Sequence, residues 1–298
     1  QLTYPWRPGE KPDFTYAMIN WLSQVAADRV YFNSEYQRAG WFDELPRLLK
    51  HFPDCSHMPL LPGVRAKSVV LPVGCDLARL DVARPSEAAL ARSVRPRDVP
   101  VILWNQRWEY DKAPEVFLRV LDVLVSEGLP FQVILAGSNV RQKADEFEAA
   151  RERLGARVIH YGWANAPTYA RLLWRADVVV STALHEFFGI AVVEAVYCGC
   201  LPLLPRRLSY PEVIPAGCHE VCLYDGTEDL LARLRWVLAH LHEACQSAQG
   251  LPEAVARYDW ASMAPRYDAA LRDLALDRAA TTGLRTRRAL DGRVNPDS

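Results

Sequence analysis

Two pairs of charged residues have the spacing and setting to do chemistry. In "NQRWEYDK", Arg107 and Lys112 follow an apolar run and precede a helix-like stretch that opens near Pro114. Two fixed cations beside a helix N-terminus suit a phosphate or diphosphate, because side chains and helix dipole reinforce each other. The competing reading pairs both cations with Glu109 and Asp111 on a charged loop. In "HEFFGIAVVEA", Glu186 and Glu194 flank Gly189, which permits a tight turn from strand into helix. Glu194 then falls in the first two turns of an apolar helix, where a carboxylate is costly to bury unless something binds it. Ribose hydroxyls would suit, since they donate paired hydrogen bonds. Glu186, on the loop, could take the hydroxyls of a second sugar. The alternative for Glu194 is an ion pair with Arg206 or Arg207.

These residues must be brought to one edge, and the surrounding pattern supplies elements to do it. Strands at "VPVILWN", "FQVILAGS", "RVIHYGW", "DVVVSTAL" and "LPLLP" alternate with helices at "PEVFLRVLDVLVSEG", "ADEFEAARERLG", "PTYARLLWRA" and "GIAVVEAVYCG". Continuous Val/Ile/Leu strands alternating with helices indicate a parallel sheet covered on both faces, a Rossmann-like domain. Ligands in such sheets bind at the carboxyl ends of the strands. The residues to watch are therefore Asn105 to Lys112, Gly137 and Ser138, Gly162 and Trp163, His185 to Gly189, and Pro205 to Pro211.

Ahead of this unit, apolar spacing predicts a helix from Phe14 to Val25, with Asp13 placed to cap it. "RVYFNS" reads as a strand, Glu35 to Phe52 as a helix interrupted by Pro46, and "SVVLPVG" as a strand ending at Gly74 and Asp76. The polar, basic stretch between Asp76 and Val99 marks a domain boundary. After the sheet come a helix at "TEDLLARLRWVLAHLHEA" and one or two more. From about Arg278 to Ser298 apolar periodicity is lost, and a flexible tail is expected.

Composition narrows the function. The 298-residue chain is half hydrophobic, 24% charged and carries a net charge of -1. The molecule as a whole lacks the basic signature of nucleic-acid binding. Local clusters end at Arg207 and Arg288. No apolar run reaches the ~18 residues of a membrane span, and no secretory signal opens the sequence. It starts at Gln1, which reads as a processed, trimmed or fragmentary chain. The seven cysteines lack C-x2-C spacing and are expected as buried free thiols in a reducing cytosol. There is no G-x-S-x-G, H-E-x-x-H, Walker loop or G-x-G-x-x-G, which argues against hydrolase, ATPase and dehydrogenase chemistry.

Taken together, the sequence resembles the retaining glycosyltransferases of family 4. Arg107 with Lys112 matches the donor-diphosphate pair, and Glu186 with Glu194 the donor-sugar and ribose carboxylates. "VVLPVGCDL" is similar to the interdomain segment, through Pro72, Gly74 and Asp76. "ADRVYFNSEY" resembles the strand-end Ser of the first domain, and "DWASMAPRY" the closing helix. Within that family, "QLTYPW", "QRWEYDKAPEVF" and "ALHEFFGIAVVEAVYCGCLPLLPRRLSYPEVIP" look like the queuosine-tRNA mannosyltransferases, where "RLSYPE" replaces the usual Gly-Gly before "PE".

The resemblance implies an α/β, GT-B fold with two Rossmann-like domains facing a cleft, the first incomplete because several strands would precede "QLTYPW". Residues 1–85 would be its remainder and 86–255 the nucleotide-sugar domain. A closing helix would occupy 256–277, and the tail 278–298. It implies retaining, metal-independent transfer of mannose from GDP-mannose to queuosine in aspartate tRNA, in the cytoplasm and without stable membrane association. The implied donor site is Arg107, Lys112, Gly137, Gly162, Glu186, Phe187, Phe188, Gly189, Ile190 and Glu194, with Arg107, Lys112 and Glu186 catalytic and Gly74 and Asp76 interdomain. The tRNA would meet Arg206, Arg207 and the tail arginines Arg285, Arg287 and Arg288; Trp104, Trp108 and Trp163 are candidate stacking faces, with core packing the expected role of each. The alternatives are a family-4 transferase with a polysaccharide or glycolipid acceptor, and an inactive sugar-nucleotide-binding module.

Overall fold

A computed structural model describes residues 2–7, 9–11, 13–51, 56–86, 99–138 and 145–291, with side chains up to residue 279 except that of Asp145. The proposed boundary at 85/86 abuts a stretch outside the described residues, and the side chains of Arg285, Arg287 and Arg288 lie outside them too.

Among the described residues, eight short strands and their helices follow in order. The first part holds α1 (Thr15–Ala26), β1 (Val30–Phe32), α2 (Glu35–Lys50), α3 (Leu61–Ala66) and β2 (Ser68–Val70). Asp13 takes the Thr15 amide at 2.8 Å, so the expected cap is one residue out of place, with Phe14 at the N-cap. Pro46 does not interrupt α2, which runs through it. β1 and β2 pair in parallel, Val30 against Ser68. Trp21, Phe42, Leu45 and Val64 form a separate small core beneath them.

The second part alternates as its apolar pattern demands: β3 (Val101–Trp104), α4 (Pro114–Ser126), β4 (Gln132–Ala136), α5 (Asp145–Leu154), β5 (Val158–Gly162), α6 (Ala166–Arg175), β6 (Val178–Val180), α7 (Ile190–Tyr197) and β7 (Leu201–Pro205). After α8 (Tyr210–Val213) and α9 (His219–Cys222) comes β8 (Leu223–Tyr224), a two-residue strand too short for its pattern to announce. All six strands are parallel, in the order β5-β4-β3-β6-β7-β8. That is a doubly wound sheet whose order reverses between β3 and β6, and the crevice beyond their carboxyl ends is where such folds place ligands. β3 and β6 are buried throughout, as a sheet covered on both faces requires.

The long helix read at "TEDLLARLRWVLAHLHEA" breaks at His240 into α10 (Gly226–Ala239) and α11 (Leu241–Ser247). α12 (Leu251–Ala256) then leads into α13 (Trp260–Asp291). α13 returns to the first part: the Tyr267 hydroxyl donates to the Pro72 carbonyl at 3.2 Å, and Arg278 meets Asp28 at 3.3 Å. The helix continues beyond residue 277, where a tail was expected, and 292–298 lie outside the described residues. Among the described residues no helix is long and apolar enough to cross a membrane. The described cysteines are free thiols; Cys75, Cys198, Cys200 and Cys222 are buried, Cys218 is partly buried and Cys245 is exposed.

Candidate active site

The loops after β3 and β6 are stapled together by backbone. The Asp111 carbonyl accepts from the Leu184 amide at 2.8 Å and the His185 amide at 3.3 Å, while the Thr182 hydroxyl donates to the carbonyls of Lys112 (2.8 Å) and Ala113 (3.0 Å). Ala113 has a left-handed backbone, φ 44°, at the start of α4. Such a conformation is costly for a residue with a side chain and persists only where its surroundings over-determine it. Here those surroundings are the edge of the switch point.

This stapling brings Lys112 to Glu186. The buried ammonium donates to the His185 carbonyl at 2.8 Å and to Glu186 Oε2 at 3.2 Å, and lies 3.2 Å from Asp111 Oδ2. Glu186 Oε1 accepts from the Phe187 and Phe188 amides at 3.1 and 3.4 Å. Gly189 turns the chain with φ 94°, and a Cβ there would sit 3.1 Å from the Tyr210 ring. Ile190 opens α7, whose first amides lack partners inside the helix. Arg107 is exposed and pairs with Glu109 at 2.9 Å and, more loosely, with Asp111 at 3.8 Å. As folded, both cations rest on carboxylates, and Lys112 also reaches across to the second loop.

Glu194 is buried, 6% exposed. Its partner is neither Arg206 nor Arg207. Arg79, from the segment joining the two parts, bonds Oε1, and the Tyr169 hydroxyl of α6 donates to Oε2 at 2.9 Å. Arg206 is held instead by Glu220 and Asp225, both at 3.1 Å. Burial and the Glu194 charge push the Tyr169 hydroxyl well above its ordinary pKa, so it stays protonated. Asn105, at the end of β3, donates to the Tyr169 oxygen at 3.0 Å and to the Ala191 carbonyl at 2.8 Å. Arg79 and Tyr169 escaped the sequence reading: the first lies in a basic stretch and the second in an ordinary amphipathic helix.

Beside this network, a cavity of about 260 Å³ is lined by Asn105, Gln106, Arg107, Gly137, Trp163 and Tyr169. The buried Asn105 Oδ1 and Gln106 Oε1 have no hydrogen-bond partner. Gly137 permits this close approach: a Cβ would lie 2.2 Å from the Gln106 carbonyl. Gly162 ends β5 with φ 98° and no neighbour within 4 Å of a Cβ. Trp163 is 72% exposed, whereas Trp104 and Trp108 are core residues, stacked on Phe117 and Phe147.

Gly74 and Asp76 sit at the crossing between parts. A Cβ on Gly74 would meet the Trp260 ring at 2.5 Å. Cys75 bridges Asp259 in parallel, and Asp76 takes the Arg79 amide at 3.3 Å. In "RLSYPE", Leu208 adopts φ 64°, a conformation more usual for glycine. The Glu212 carboxylate spans to the first part and accepts from the Glu35 and Tyr36 amides, both at 2.7 Å.

Residues 86–247 match the family model "Glycosyl transferases group 1", and residues 1–75 match "tRNA-queuosine alpha-mannosyltransferase N-terminal". The chain is 33% identical over 217 residues to the tRNA-queuosine alpha-mannosyltransferase of Drosophila melanogaster, covering 72% of this chain and 57% of that one. A D-inositol 3-phosphate glycosyltransferase of Xylanimonas cellulosilytica is 29% identical, covering 64% of this chain and 48% of its own. The chain thus spans about half the length of these curated relatives. Among solved structures, sucrose-phosphate synthase from Thermosynechococcus elongatus superposes with TM-score 0.68 at 21% identity, over 90% of this chain and 63% of that one. That likeness shares the GT-B fold. With a family model covering more than half of its residues, the chain belongs to the group 1 glycosyltransferases.

Proposed function

We propose that this chain is the donor side of a retaining mannosyltransferase that moves mannose from GDP-mannose to queuosine in aspartate tRNA. The observation that carries the reading is the meeting of Lys112 and Glu186 at the mouth of the switch point. A buried cation and a half-buried carboxylate, on two loops held together by backbone, can exchange partners. The diphosphate takes Lys112, Arg107 and the first amides of α7, and Glu186 turns to the mannose hydroxyls. Glu194 takes the ribose diol. The match of residues 1–75 and the name of the fly relative support tRNA and queuosine as the acceptor.

In this reading the bond from the anomeric carbon to the phosphate oxygen breaks as the acceptor oxygen bonds to that carbon on the same face. The acceptor's proton passes to the departing phosphate oxygen, so the configuration is retained. Lys112 and Arg107 meet the charge as it develops on the leaving diphosphate, which is where electrostatic stabilisation counts most; the reading assigns no metal a role. Since Arg206 is committed to Glu220 and Asp225, Arg207, which is exposed, is the cation of that pair assigned to tRNA phosphate. A tRNA acceptor also favours a cytoplasmic setting.

The test is transfer of radiolabelled mannose from GDP-mannose to tRNA that carries queuosine, beside the same tRNA with guanosine in its place. Label on the queuosine tRNA alone is expected. Label on neither, or equal label on both, would overturn the acceptor assignment.

A further inference from the structure

We infer that Arg79 and Tyr169 are positioning residues that hold the Glu194 carboxylate to receive a vicinal diol. The inference rests on the reading that a nucleoside diphosphate sugar binds here, and extends it to residues outside the family motif.

An ionised carboxylate offers roughly four lone-pair sites, two on each oxygen. Arg79 fills one on Oε1 and Tyr169 one on Oε2. Each oxygen keeps one further site. Two acceptor sites on the two oxygens of one carboxylate match two adjacent hydroxyls, as on a ribose.

The direction of each bond is fixed. Asn105 donates to the Tyr169 oxygen, so the phenol hydrogen goes to Glu194. A second Asn105 hydrogen is spent on the Ala191 carbonyl of α7, the helix that carries Glu194. Tyr169 and Asn105 also line the cavity beside Glu194. On the other side, Arg79 Nε donates to the Asp76 carbonyl at 3.1 Å, and Asp76 takes the Arg79 amide. The guanidinium is thereby anchored to the joining segment. A buried carboxylate held on one oxygen by a cation and on the other by a neutral donor keeps one orientation, which an unpaired one would not.

The experiment is calorimetric titration of the chain with GDP and with 2′-deoxy-GDP, for the unaltered chain and for Arg79→Ala, Arg79→Lys and Tyr169→Phe. The unaltered chain is expected to favour GDP by about tenfold, the worth of one hydrogen bond to a charged group. Arg79→Ala and Tyr169→Phe should lose most of that preference, weakening GDP by about tenfold while moving 2′-deoxy-GDP less than about twofold. Arg79→Lys should restore part of it. A general structural role would weaken both nucleotides alike, and that result, or an unchanged preference in both Ala and Phe variants, overturns the inference. If the unaltered chain binds neither nucleotide, the donor reading itself fails, and this inference with it. If it binds both equally, the donor reading survives and the diol assignment falls.

Discussion

The Lys112 ammonium lies 3.2 Å from the Glu186 carboxylate, although 74 positions separate them in the chain. One residue belongs to the loop after β3 and the other to the loop after β6, so their contact marks the point where the strand order reverses. Asp111, essentially fully buried, sits on the same ammonium. Two carboxylates therefore share one buried cation, and Arg107 approaches Asp111 from the solvent side at 3.8 Å while pairing more closely with Glu109.

Removing the Lys112 charge therefore acts twice. Lys112→Met should end binding of the nucleotide sugar and also destabilise the chain by about 3 kcal/mol, because Asp111 is left buried without its close partner. Chemical denaturation measures the second effect. Pairing the change with Asp111→Asn should recover most of the stability and none of the binding. Recovery of both would show that Lys112 matters for packing alone.

Glu186 should contribute to the sugar rather than to the nucleotide. Glu186→Ala is expected to weaken GDP-mannose by about tenfold relative to GDP. It should leave GDP as tight as before, or tighter, since Lys112 loses a competing carboxylate. Parallel titrations with the two ligands check this, and an equal loss for both would count against the assignment.

His185 sets a pH dependence. Burial first, and the neighbouring Lys112 charge second, lower its pKa below the ordinary 6.5, against opposing pulls from Asp111 and Glu186. The unfolded chain thus binds a proton that the folded chain refuses, so stability should fall as pH drops from above 6.5 until the folded imidazole is protonated too. His185→Gln should flatten that part of the profile, read as midpoints of denaturant unfolding between neutral and acid pH. An identical slope in the variant would refute the cause.

Glu212 clamps the start of α2 from the other part of the chain. Glu212→Ala removes an anion from a helix N-terminus and two acceptors from orphan amides, at about 1 kcal/mol. Hydrogen exchange at the Glu35 and Tyr36 amides should quicken while that of β3 and β6 holds. Unchanged exchange at those two amides would mean that the clamp is not kept in solution.

Much of this was legible in the residues. The apolar runs of β3, β4 and β6 announce a parallel sheet, and from there the strand ends point to Lys112, Glu186 and Gly189 without any knowledge of contacts. Periodicity carries no information about partners, however. Glu194 finds Arg79 at a separation of 115 residues, on a segment whose polar, basic composition reads as a domain boundary, and no local pattern singles it out over Arg206. Pro46 signals a break because proline removes an intrahelical bond, yet the Leu45, Leu48 and Leu49 face is buried on both sides of it and the helix persists. α13 extends to Asp291 through a polar stretch that carries no apolar stripe to read.

The most direct test of the central claim, that the switch point holds a guanosine diphosphate sugar, is calorimetric titration of this chain with GDP-mannose beside UDP-glucose. The account predicts saturable binding of GDP-mannose that is preferred over UDP-glucose and abolished by Lys112→Met. Binding of neither ligand, or equal binding of both, would contradict it.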